Sequence, residues 1–214
     1  MTMTRDDCTA LDRADPLAPL RARFALEAVD GGDVIYLDGN SLGVLPKDTA
    51  ARVQQVVQDE WGRSLIRSWN TAGWITLAQR IGDKIAGLVG AGPGELIVAD
   101  STSVNLYKAL SAAMAIVKAD HPGRRRIVSE RTNFPTDLYI ADTLARAQGF
   151  ELTLVDADHL SAHIDERLAV LLLTHVNYRT GRMHKMGEVT RAARQAGALM
   201  IWDLAHSAGA MPLS

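Results

Sequence analysis

The chain has 214 residues, 47% of them hydrophobic, with a formal net charge of −2 at pH 7, enough to bury a substantial core in one large domain or one and a fraction. That balance excludes a basic field for nucleic acid or a polybasic membrane patch, and the single cysteine, Cys8, excludes an internal disulfide. Residues 1–13 are polar and acidic, unlike a secretory leader, and the longest apolar run, 168–173, is too short to cross a bilayer. A soluble protein of the reducing cytoplasm is expected.

The first thirty or so residues mix charges, Pro16, Pro19 and a short helical stretch, and end in the turn signal Gly31-Gly32-Asp33. Residues 34–37 (Val-Ile-Tyr-Leu) read as a short strand and 38–43 as a loop. A helix is expected after Pro46, with Val53, Val56 and Val57 on one face. Another is expected over 75–89, where Leu77, Ile81, Ile85, Leu88 and Val89 keep helical spacing. From there the pattern becomes regular. Strand-like runs at 95–99, 126–129, 151–155, 168–173 and 199–202 alternate with helices at 104–117, 136–148 and 186–196. Leu106, Leu110, Met114 and Val117 form the apolar stripe of the first of these helices, and Gly149 and Gly197 close the other two. Continuous apolar strands between amphipathic helices predict an α/β fold, a mostly parallel sheet in a three-layer sandwich. Arg124-Arg125-Arg126 reads as a solvated lead-in to a strand. No strand is followed by Gly-x-Gly-x-x-Gly or by a P-loop pattern, so a dinucleotide or P-loop site has no support.

Chemistry is expected where strands end. The segment Met200-Ile201-Trp202-Asp203-Leu204-Ala205-His206 delivers an acid, then a histidine, to the C-terminal end of a buried strand, the edge at which open α/β sheets bind ligands. A buried carboxylate there needs a cation or strong donors. A protonated pyridine nitrogen, as in pyridoxal 5′-phosphate (PLP), is one such partner; an arginine or a helix N-terminus is another. Asp100-Ser101-Thr102-Ser103 opens the 104–117 helix and reads either as an anion site or as an ordinary N-cap. Asn133-Phe134-Pro135-Thr136-Asp137 opens the next helix, with Thr136 or Asp137 as its cap. Phe134 is placed there either to stack on a flat ligand or to fill the core. The polar cluster beginning Thr174-His175 follows the most apolar strand. His159 and His163 have i, i+4 spacing without the pattern of a zinc hydrolase, and no Gly-x-Ser-x-Gly elbow is present. A metal site and a serine hydrolase are therefore both disfavoured.

Three of these segments taken together, Leu37-Asp38-Gly39-Asn40-Ser41-Leu42-Gly43, Asn133-Phe134-Pro135-Thr136-Asp137 and Trp202-Asp203-Leu204-Ala205-His206, resemble the kynureninases. These are fold-type I, PLP-dependent enzymes of the aminotransferase class V group. The stretch from Leu65 to Trp74, Leu-Ile-Arg-Ser-Trp-Asn-Thr-Ala-Gly-Trp, is similar to that of bacterial members. The resemblance implies hydrolysis of L-kynurenine, or its 3-hydroxy relative, to anthranilate, or 3-hydroxyanthranilate, and L-alanine in tryptophan catabolism. It implies PLP as cofactor. Thr102 and Ser103 would bind the phosphate, Phe134 would stack on the ring, and Pro135, Thr136 and Asp137 would frame the same wall. Thr174 would line the ring, Asp203 would pair with its nitrogen, His206 would stand beside it, and Ser41 and Trp69 would serve the substrate. Residues 1–45 would belong to a small domain or dimer arm, and residues 46–214 to the large cofactor-binding domain of a homodimer that needs neither nucleic acid nor membrane.

In the family, the lysine that holds the cofactor lies roughly two dozen residues beyond the Asp-x-x-His element. Lys47, Lys84, Lys108, Lys118 and Lys185 do not match it. The chain is therefore expected to be an inactive N-terminal portion. The other readings are a cysteine desulfurase-like class V enzyme and a non-catalytic, partner-binding product.

Overall fold

A computed structural model describes residues 3–26 and 35–213. The chain divides into two units, Met1–Thr76 and Leu77–Ser214. The first opens with helix α1 (Arg5–Ala14), started by a reciprocal cap. Thr4 Oγ1 accepts from Asp7 N at 3.2 Å, and the Asp7 carboxylate accepts from Thr4 N at 2.9 Å. Helix α2 (Thr49–Gln55) follows Pro46 as expected and runs into a wider π-helical turn, Val56–Trp61. Val53 and Val57 nevertheless remain exposed. Glu60 accepts from Trp74 Nε1 at 2.6 Å and from Arg52 at 2.5 Å, while the buried Ser68 hydroxyl donates to the Glu60 carbonyl. These bonds fix the tryptophan-rich stretch in short helical turns. The strand expected at 34–37 does not form over Ile35–Leu37, which is exposed and has no ladder partner among the described residues. Val34 and the Gly31–Asp33 turn lie outside the described residues.

The second unit begins with α3 (Leu77–Ala86), which stops three residues short of the expected end; left-handed backbone follows at Gly90 and Gly94. Residues 95–99, expected as a strand, form none. Backbone groups that would enter a ladder are taken locally: Leu96 O accepts from Gln79 Nε2 at 3.1 Å, and Val98 N donates to Ala78 O at 3.3 Å. A strand exists only through its neighbour's hydrogen bonds, and the apolar run alone does not supply one.

The remaining elements alternate as anticipated: α4 (Thr102–Asp120), β1 (Arg126–Glu130), α5 (Pro135–Gln148), β2 (Glu151–Val155), β3 (Leu168–Thr174), α6 (Met186–Gln195) and β4 (Leu199–Asp203). The strands form one parallel sheet in the order β2-β1-β3-β4. All seven β3 residues are buried, as befits a central parallel strand covered on both faces. Val170 and Leu172 pack with Leu106, Leu110 and Met114 of α4 and Ala141 and Leu144 of α5. Leu171 and Leu173 pack on the opposite side with Val189 and Ala193 of α6. This is the three-layer α/β sandwich. A register irregularity opposite Arg126 and Ile127 makes room for Ala169, which joins the same core as Val170. The order reverses between β1 and β3, and at such a switch point the loops leaving two strands diverge and open a crevice beyond their C-terminal ends. Among the described residues, no helix is long and apolar enough to cross a membrane.

Candidate functional site

The crevice is built from the ends of β1, β3 and β4. Thr174 and Asp203 are register partners on the last rung of β3 and β4. The main chain holds this rung closed: His175 N donates to Asp203 O at 2.9 Å. Ala205 N donates to Asp203 Oδ1 at 2.8 Å, so a turn residue fixes the orientation of the carboxylate. After β1 the chain turns through Asn133, whose Oδ1 accepts from Phe134 N at 2.6 Å, and enters α5 at Pro135. Neither Thr136 nor Asp137 caps this helix, contrary to expectation. The capping position is Phe134, and with proline at the first helical position no donor there needs a cap.

Asp137 instead points back toward the sheet. It is 2% exposed, and its Oδ2 has no hydrogen-bond partner among the described residues. Burial first, and then the neighbouring Asp203 carboxylate, push the Asp137 carboxyl up from 3.8 to about 7. Two carboxylates this close cannot both ionise cheaply, so below about pH 7 the Asp137 carboxyl keeps its proton beside Asp203.

Thr102, Asp137 and Asp203 line one cavity of about 340 Å³, with Leu106 of α4 and Trp202 of β4 among its walls. Thr102 stands at the first turn of the 19-residue α4, whose first N–H groups have no partner within the helix. Ser101 is the cap, its Oγ accepting from Val104 N at 3.4 Å. The Asp100 charge beside this helix start is neutralised by Lys108. The cavity thus has donors and the positive helix end on one wall and the Asp137 and Asp203 carboxyls on another.

Phe134 is 39% exposed at the rim and meets Tyr178 edge-on at 5.3 Å and His206 at 6.3 Å between ring centroids. It is therefore not the core phenylalanine of the plainer alternative. His206 Nδ1 lies 3.0 Å from Val176 O, and since a carbonyl only accepts, Nδ1 carries a proton. Pro135 is exposed, and Thr136 and Ser103 are half-buried, at the two helix starts. Ser41 and Trp69 belong to the first unit. Ser41 Oγ donates to Asp38 Oδ1 at 2.8 Å, and Trp69 is 48% exposed.

Asn133 is the residue that reading the sequence left without a role. It is 5% exposed and bonded to both Ser129 and Thr174. The available signal was a side-chain amide directly before Phe-Pro, where an Asx-type turn is favoured.

The family model of the aminotransferases of class V matches residues 35–214. The chain belongs to the aminotransferase class-V family. Within it, the chain is 57% identical over 214 residues to the kynureninase of Burkholderia pseudomallei (strain K96243), covering 98% of this chain and 50% of that protein. The kynureninase of Pseudomonas fluorescens is 55% identical over 213 residues, with the same coverage. The chain spans about half the length of the curated relatives it matches. Among solved structures, the apo cysteine desulfurase of Thermococcus onnurineus NA1 superposes with a TM-score of 0.70 at 22% identity, covering 91% of this chain and 49% of that one. A C-DES mutant with glycine covalently linked to its PLP cofactor gives a TM-score of 0.68 at 19% identity, covering 91% of this chain and 51% of that one. These class V structures share the fold of the chain.

Proposed function

We propose that this chain carries the PLP site of a kynureninase, an enzyme that hydrolyses L-kynurenine and 3-hydroxy-L-kynurenine to L-alanine and the corresponding anthranilate. The observation that carries the reading is the Asp137–Asp203 pair facing the α4 N-terminus across one cavity. An orphaned buried acceptor and a half-buried carboxylate suit a protonated ring nitrogen, and the opposite wall suits a phosphate. Identity of 55–57% to kynureninases favours this substrate class over the cysteine desulfurase alternative, represented here at 22%.

The residues divide the work as follows. The N–H groups and hydroxyls of Thr102 and Ser103 hold the phosphate. Phe134 would stack on the cofactor ring, with Pro135 and Thr136 framing the same wall and Thr174 lining it. Asp203, oriented by Ala205 N, would keep a proton on the ring nitrogen, with the Asp137 carboxyl beside it. His206 stands at the rim. Ser41 and Trp69 are proposed as substrate-binding residues. Bound, the cofactor supplies an electron-poor ring that accepts charge from the substrate Cα, provided its nitrogen keeps its proton.

A chimera tests the proposal. The chain replaces the corresponding half of the Pseudomonas fluorescens kynureninase, and release of anthranilate from L-kynurenine is followed by fluorescence. Turnover is expected in the chimera, with a loss of at least about a hundredfold for Asp203→Ala, in line with removal of a main electrostatic group. A chimera that folds and binds PLP yet releases no anthranilate would overturn the substrate assignment.

A further inference from the structure

Behind Asp203 lies a buried polar chain, Ser129–Asn133–Thr174–Asp203, in which the first three residues are at most 5% exposed. The direction of its hydrogen bonds can be deduced. Phe134 N is a donor that cannot be reversed, and it lies 2.6 Å from Asn133 Oδ1. The amide oxygen is thereby fixed on that side, and Asn133 Nδ2 must donate to Ser129 Oγ, at 3.0 Å. The Thr174 hydroxyl reaches the same Asn133 Oδ1 in a close hydrogen bond and stands 3.4 Å from Asp203 Oδ2. A hydroxyl has one proton to give. Asn133 Oδ1 and the Asp203 carboxylate can both only accept there, and the much closer contact draws the proton to Asn133, leaving the 3.4 Å contact as the weaker share for Asp203.

We propose that Asn133 is a positioning residue that draws the Thr174 hydroxyl proton away from Asp203, so that the Asp203 carboxylate is left open to another donor. The inference rests on the cofactor reading only for its purpose: a carboxylate left open holds a proton better on a bound pyridine nitrogen. The mechanism itself operates in the chain without a ligand, because Asp203 there lies beside the Asp137 carboxyl. The other titratable groups near Asp203 are His175 at the end of β3 and His206 in the turn after β4; α4 contributes Thr102 and Asn105, which carry no charge.

The test is carboxyl-carbon NMR of the ligand-free chain labelled at aspartate, with Asp137→Asn and Asp203→Asn for assignment. The upper titration of the Asp137–Asp203 pair is expected near 7. Asn133→Ala frees the hydroxyl to donate to Asp203 and lowers the upper proton affinity of the pair by about tenfold, the effect of one hydrogen bond to a charged group. Thr174→Val changes that affinity by less than about threefold, and Asn133→Ala in the Thr174→Val background then has no further effect. An unchanged titration in Asn133→Ala would overturn the inference. So would an equal drop in both backgrounds, which is what general loosening of the β1–α5 turn would give. Should Asn133→Ala fail to fold, Thr174→Val alone decides: a tenfold rise means that the hydroxyl already donates to Asp203 and the inference is wrong.

Pyridoxamine 5′-phosphate labelled with 15N at the ring, which needs no lysine, separates this from the cofactor reading. A wild-type chain that leaves the probe unbound, or its ring nitrogen without a proton, counts against the reading, while the carboxyl titrations still judge Asn133.

Discussion

Asp137 is an acid whose environment works against its charge: it is 2% exposed, one oxygen finds no donor, and another carboxylate lies beside it. The consequence for stability has a definite sign. The folded carboxyl titrates at about 7 against an ordinary 3.8, so between those values the native state binds more protons than the unfolded chain. Stability therefore falls as pH rises through that window, and the full penalty is present above it. Asp137→Asn is neutral throughout and escapes the penalty. Urea unfolding at pH 4 and pH 8 should show the variant gaining on wild type at the higher pH by a few kcal/mol, at about 1.4 kcal/mol for each tenfold difference in proton affinity. Equal differences at the two pH values would show that Asp137 does not keep its proton beside Asp203. Asp165 illustrates the opposite sign. Its hydrogen bond from Arg126, at 2.5 Å, is the largest influence holding the carboxyl down at about 2, so its contribution is fully present above the ordinary 3.8 and is lost progressively as pH falls from there through about 2.

At the scale of elements, helix α3 shows how a local rule can be overridden. Alanine is a better helix former than glycine by about 1 kcal/mol. A Cβ on Gly82, however, would stand 2.0 Å from Leu96 O and 2.7 Å from its carbonyl carbon. These are backbone atoms of the segment at 95–99, and no side-chain rotation relieves the clash. Gly82→Ala is therefore expected to lower the unfolding midpoint, whereas Gly87→Ala, where a Cβ meets nothing within 4 Å, should leave it unchanged or raise it. Thermal unfolding followed by circular dichroism distinguishes the two. A Gly82→Ala chain as stable as wild type would mean that the 95–99 segment is not held against α3.

The same segment marks the limit of what the sequence discloses. The strands of the parallel sheet were legible because each is a continuous apolar run bounded by helices with an obvious stripe; Leu106, Leu110, Met114 and Val117 are all buried. Residues 95–99 have the same local appearance but lack a pairing partner among the described residues, and pairing is not written in a strand's own sequence. At the site, Asp203, Phe134 and Thr102 were legible as residues at strand ends and helix starts. Asn133 and the burial of Asp137 were not, since both depend on how β1 and β3 lie side by side at the switch point.

For the whole molecule, the sheet order leaves β2 and β4 each with one strand neighbour among the described residues. Ile201 and Trp202 on β4 are only half-buried. Near the start of the same unit, Ile97 and Val98 are 63% and 45% exposed in a segment of which Leu96 O and Val98 N are bonded to Gln79 and Ala78. Sheet edges are templates for pairing with another chain and exposed apolar patches are sites of association, and natural proteins cover or charge them. Here no lysine or arginine lies within 95–99 to blunt the segment. The 214-residue chain on its own is therefore expected to self-associate, with sedimentation velocity showing a weight-average mass that rises across a concentration series. Ile97→Lys places a charge in the segment without touching the buried core and should shift association to concentrations about tenfold higher, the equivalent of roughly 1.4 kcal/mol in the contact. If the rise in mass is identical in Ile97→Lys, the contact lies elsewhere, and the β4 edge, probed with Ile201→Lys, becomes the surface responsible. A chain that stays monomeric at every concentration would show that neither the sheet edge nor the exposed 95–99 segment drives association.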